Sequence, residues 1–222
     1  MLQLTLALTA FVGTHLLMSH PLRAPMVSHL GAGTFQGVYS LVSLATLGWA
    51  VFAFREAPLG EPLWAVGNAL NIVATVVMFI ASVLLAGSVI GNPALPQPGA
   101  EKLAMQAPSG VFAITRHPMM WSFALWSLAH VLVSPRPAVF ILSGGIAFLA
   151  LGGAAGQDVK KARLMGKSWK KWTSRTSFVP YARSWAWPGR TALIGGTLLW
   201  LLATWAHPLA GAPTAGIWLW LS

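Results

Sequence analysis

The chain has 222 residues, 56% of them hydrophobic and 8% charged, with a mean hydropathy of +0.67. That composition, with several apolar runs of about 20 residues, marks an integral membrane protein of one domain. The absence of cysteine excludes disulfides, thiolate metal sites and cysteine nucleophiles, and the net charge of +10 has to be read from its distribution.

The first apolar run, near 2–20, lacks a basic leader and ends in Ser19-His20-Pro21-Leu22-Arg23, so it reads as a spanning helix and not a signal peptide. A second span is expected near 36–54 and a third near 64–91. The third is longer than a bilayer needs and holds Asn68 and Asn71, which predicts tilt or a first turn outside the core. A fourth, near 118–134, opens on Arg116-His117-Pro118, where proline is tolerated because the first turn needs no donated hydrogen bond. Pro135-Arg136-Pro137 then leads into a fifth near 137–155, so these two spans should be antiparallel neighbours. Gly144-Gly145 and Gly152-Gly153 in the fifth suit close helix contact or a flat ligand, with helix contact the simpler reading. A sixth is expected near 191–209, and Ile217-Trp218-Leu219-Trp220-Leu221 reads as an interfacial aromatic anchor. The expectation is an all-α polytopic membrane helical bundle over 1–222, with about six transmembrane helices and a basic amphipathic loop at about 156–190.

Basic residues set the expected orientation. Arg23, Lys102, Arg116, Lys160, Lys161, Arg163, Lys167, Lys170, Lys171, Arg175, Arg183 and Arg190 fall on one side, Arg55 and Arg136 on the other. The positive-inside rule makes the first side cytoplasmic and puts both termini on the other side, in a bacterial inner membrane. The basic loop should attract anionic lipid headgroups, and its interleaved Trp169, Trp172, Trp185 and Trp187 suit a helix lying among them. A loop pressed against a membrane is a poor nucleic-acid binder.

Six histidines are the main chemical candidates. His29 is expected in a loop, and His20 and His207 precede prolines at span ends, where the interface solvates them. His117, beside Arg116 at a span mouth, suits an anionic group such as a haem propionate or a phosphate. His15 and His130 lie among apolar residues, about 8 Å and 18 Å from the basic ends of their spans. Each reads either as a buried histidine bonded to a neighbouring helix or as one of two axial ligands to a haem held between helices. With no cysteine present, imidazole is the strongest ligand available to iron. Ionisable groups inside a span point to function by default. Asp158, the one acid of the basic loop, is expected to form a structural ion pair with Arg116 or a lysine. Only Glu101 accompanies it on that side, which argues against hydrolysis by paired carboxylates.

The stretch Gly110-Val-Phe-Ala-Ile-Thr-Arg-His-Pro-Met-Met-Trp through Leu-Trp-Ser-Leu-Ala-His-Val-Leu132 resembles the signature of the NnrU family and its relative, the zeta-carotene isomerase. The similarity continues through Asp158, Lys167-Ser-Trp-Lys-Lys-Trp-Thr-Ser-Arg-Thr-Ser-Phe-Val-Pro-Tyr181 and Ala206-His-Pro-Leu209. A weaker match covers His15 to Arg23 and Gly37 to Leu44.

The resemblance implies a membrane protein that, in the isomerase branch, carries haem b and converts a cis double bond of a carotenoid-like polyene without net redox change. It implies His15 and His130 as axial ligands to the iron, with Arg116 and His117 near the cofactor and a lipid-soluble polyene as substrate. Two other expectations stand beside it. One is a haem-binding sensor or electron-transfer protein of nitrogen-oxide metabolism. The other is an isoprenylcysteine-type membrane methyltransferase using S-adenosylmethionine, which Arg116-His117-Pro118, Asp158, Gly166 and Phe178-Val179-Pro180 fit loosely.

Overall fold

A computed structural model describes residues 1–221, and every regular element among them is helical. In chain order these are α1 (Leu2–Ser19), α2 (Arg23–Leu30), α3 (Ala32–Glu56), α4 (Asn68–Ser88), α5 (Ala100–Met105), α6 (Val111–Ile114), α7 (Pro118–Val133), α8 (Pro137–Met165), α9 (Lys167–Arg175) and α10 (Arg190–Ala206). Short 3-10 turns at Pro208–Ala210 and Gly216–Trp220 close the chain.

Four of the helices, α1, α3, α4 and α8, are long and apolar enough to cross a bilayer. α7, with 16 residues, and α10, with 17, reach only about 24 and 26 Å at 1.5 Å per residue, short of a core about 30 Å thick. Large apolar side chains such as Leu41, Leu44, Phe52 and Phe148 face outward, as a hydrocarbon solvent allows.

Local chemistry sets the helix limits. Proline stands at the first position of both α7 and α8, where its fixed φ suits a helix start. α8 runs ten residues beyond the expected limit of 155, because Gln157 to Met165 contains no helix breaker until Gly166. Gly166 adopts φ +52°, a conformation costly for any residue with a side chain, and there the chain turns into α9. α8, at 29 residues, is about 44 Å long, so its charged last turns project past any bilayer core. α4 begins at Asn68, four residues later than expected, since Pro62 and Gly67 disfavour an earlier start.

α1 packs on α3 and α8, and α7 packs on both α8 and α4, with α10 on the far side of α4. One core joins Leu4, Leu8 and Phe11 of α1 to Ala50 and Ala53 of α3 and Ala138 of α8. A second joins α4, α6, α9 and α10 through Val83, Phe112, Trp169, Trp172 and Ala192. The tryptophans of α9 are therefore turned to protein and not to headgroups, since the core offers Trp169 and Trp172 nearly complete burial. Trp185 and Trp187 stay exposed. The expected terminal anchor is also pinned inward: Trp218 Nε1 donates to Thr204 Oγ1 at 3.1 Å, and Trp220 Nε1 donates to Asn68 Oδ1 at 2.9 Å.

Candidate functional site

Three polar constellations interrupt this apolar bundle. The first lies at its basic end. Thr115 leaves α6 in an extended conformation, and Pro118 then starts α7, so Arg116 and His117 sit in a fixed bend. The segment after α9 is strapped across that bend: Arg116 N–H donates to Ser177 O at 2.9 Å, Thr115 Oγ1 to Phe178 O at 2.6 Å and Trp121 Nε1 to Phe178 O at 2.9 Å. Within the bend, Arg116 Nε and Nη2 donate to Asp158 on α8 at 2.9 and 2.6 Å, while His117 Nε2 lies 2.9 Å from the other carboxylate oxygen. Burial disfavours the Asp158 carboxylate, but hydrogen bonds and charge from His117 and Arg116 outweigh it and hold the carboxyl below the ordinary aspartate range.

The structural ion pair expected of Asp158 is thus present. Arg116 and His117 share one carboxylate, that of Asp158. Beside it opens a cavity of about 560 Å³, lined by Arg116, Asp158, Ala162, Gly166, Trp169 and Lys170.

The second constellation surrounds His15 between α1 and α3. Nε2 of its ring shares a hydrogen bond with the Tyr39 hydroxyl, Nδ1 lies 3.3 Å from Ser43 Oγ, and Ser19 Oγ donates to Tyr39 at 3.1 Å. Both ring nitrogens are therefore engaged, as in a buried histidine bonded to a neighbouring helix. Tyr39 and Ser43 stand one turn apart on α3, an i, i+4 spacing that was the available signal for a shared partner.

His130 forms the third constellation, at the end of the bundle away from the basic residues. Its Nδ1 lies 2.8 Å from Trp126 O, and a carbonyl only accepts, so Nδ1 carries the proton and Nε2 keeps its lone pair. Trp126 stacks on the ring at 4.0 Å between centroids, and His207, just past α10, lies 6.2 Å away on the same measure.

The expected His15–His130 pair is not assembled. Leu8 lies against Gly145 and His20 against Gly156, so α1 runs parallel to α8 and His15 is level with Gly152. The tight connection from α7 to α8 instead sets His130 level with Phe140 or Ile141. The two residues differ in level by about 17 Å along α8 at 1.5 Å per residue, whereas two ligands of one iron must nearly meet. The His117 ring is bonded to Asp158. No group of three or more potential metal-ligating His, Cys, Asp or Glu side chains occurs among the described residues.

The family model described as NnrU protein matches residues 3–214, nearly the whole chain. No curated protein and no solved structure matches it.

Proposed function

From the chain's membership of the NnrU family, we propose a membrane haem protein in which the imidazoles of His130 and His207 would hold the iron. One observation carries this reading: His130 has its Nδ1 proton committed to Trp126 O, and His207 lies 6.2 Å from its ring. A histidine that ligates through Nε2 commonly has its other nitrogen fixed in this way. At that separation the two imidazoles would be able to hold one iron between them. Neither His130 nor His207 has a competing side-chain hydrogen bond to another side chain among the described residues. His15, with two such partners, is assigned a structural role.

A haem bound there would supply electron density able to weaken a double bond of a conjugated polyene, and the finer reading is a carotenoid-type cis–trans isomerase. The chain's own contribution is to hold the ligand tautomer through the Trp126 carbonyl and to cover one face of the His130 ring with the Trp126 indole. A long apolar substrate would enter from the lipid. The basic end is assigned to the cytoplasm, and α7 and α10 are counted with the four longer helices as six crossings.

The test is the absorption spectrum of purified protein, oxidised and then reduced with dithionite. A Soret band that is lost in His130→Ala is expected. Purified protein with no haem absorbance after reconstitution with hemin would overturn the reading. Reduced protein that leaves the geometry of tri-cis zeta-carotene unchanged would retain the haem and remove the isomerase, leaving a sensor or electron-transfer role.

The cavity beside Arg116 and Asp158 favours one other reading, methyl transfer from S-adenosylmethionine, because about 560 Å³ lies within the range of small-molecule sites. Calorimetric binding of S-adenosylhomocysteine without haem absorbance would put that reading first.

A further inference from the structure

We propose that Lys160, Arg23 and His20 form a seat for the phosphate of an anionic phospholipid at the junction of α1, α2 and α8, separate from the exposed basic face of α9.

His20 caps α1 and lies flat on α8 at Gly156, where an added Cβ would stand 2.5 Å from its Cε1 and Nε2. Lys160 is one helical turn beyond Gly156 on the same face. Arg23 opens α2 three residues after His20, and its guanidinium lies 5.9 Å from the centroid of the Phe35 ring on α3. All three side chains are half-buried.

No carboxylate among the described residues balances this group. The ion pairs among the described residues both end on Asp158, which serves Arg116 and His117. Glu56 ends α3 and Glu61 follows it, both at the opposite end of the bundle, while Glu101 lies on α5 against α9. Lys160 has neither a hydrogen bond nor an ion pair among the described residues. Burial and the charges of Arg23 and Lys161 draw its ammonium down to about 8. Like charges gathered in a partly desolvated cleft repel unless an anion joins them. The cluster lies where the apolar part of α8 ends, the level at which lipid phosphates are found.

Full-length protein in a neutral detergent, incubated with dioleoyl phosphatidylglycerol or dioleoyl phosphatidylcholine, is examined by native mass spectrometry for retained lipid. The wild type should retain phosphatidylglycerol preferentially. Retention should fall about thirtyfold in the Lys160→Gln, Arg23→Gln double variant, the scale expected for removing two basic side chains at a lipid surface. It should change less than about twofold in the Lys170→Gln, Lys171→Gln control, because α9 packs on α5 and α8, away from the proposed seat. Lys160→Arg keeps the charge and should bind as the wild type does. If the double variant elutes as aggregate, Arg23→Gln alone carries the comparison. Competition by millimolar inorganic phosphate would identify free phosphate as an occupant of the seat, and its failure would identify the lipid. Unchanged retention in the charge-removed variant, or an equal loss in the α9 control, overturns the proposal.

Discussion

The imidazole of His130 donates its Nδ1 proton to the main-chain carbonyl of Trp126, one helical turn earlier and 2.8 Å away. That bond fixes a tautomer and leaves Nε2 as the nitrogen able to meet a metal. His207→Ala should consequently retain some haem but lose the spectrum of two axial imidazoles, whereas His15→Ala should keep that spectrum unchanged. The reverse outcome, read by absorption of the ferric and ferrous proteins, would return His15 to the iron.

Tyr39 ties α3 to α1 through His15 and Ser19. Tyr39→Phe leaves Nε2 of His15 and the Ser19 hydroxyl without their shared partner. A loss of about 1–3 kcal/mol is expected, the range for stranding a partly buried polar group. Thermal unfolding in detergent reads it, and the haem spectrum should not move.

Asp158→Asn removes the carboxylate that joins α8 to the bend before α7. The Arg116 and Asp158 side chains keep 15% and 20% exposure, so about 2 kcal/mol is expected, below the range for a wholly buried pair. Because the folded-state carboxyl titrates below its ordinary value near 3.9, its stabilisation is complete above about pH 5. It is lost as the pH falls through the folded-state value. The wild-type unfolding temperature should therefore drop more between pH 6 and pH 3 than that of Asp158→Asn.

Small residues on the helix faces should separate by what stands opposite them. A Cβ at Gly196 would come 2.5 Å from the backbone Cα of Val83, while one at Gly145 would come 2.3 Å from a methyl group of Leu8, a side chain that can shift more easily than backbone. Nothing lies within 4 Å of a Cβ built at Gly152. Gly196→Ala should cost about 2–3 kcal/mol, Gly145→Ala about 1 kcal/mol, and Gly152→Ala nothing measurable in the unfolding temperature.

Much of the architecture was legible in the residues because hydropathy and helix punctuation are local properties. Apolar length located the six main helices to within a few residues at most ends, and Pro118 and Pro137 marked two of their starts. The exceptions have local causes as well: α8 overran its apolar stretch because charged residues are good helix formers, and only Gly166 stops it. The pairing of Asp158 with Arg116 was also accessible, since few acids are available to so many bases.

The chain's own letters determined a helical membrane protein with its charge gathered at one end, and a motif set diagnostic of one family. Which histidines meet was decided only by tertiary structure. His15 and His130 look equivalent in sequence, each a lone imidazole among apolar neighbours. Separation along and around the bundle depends on which helices pair, in what direction and with what rotation. α3 offers Tyr39 and Ser43 to the first ring, and the end of α10 brings His207 to the second. Those partners come from distant parts of the chain, and packing of whole helices selects them.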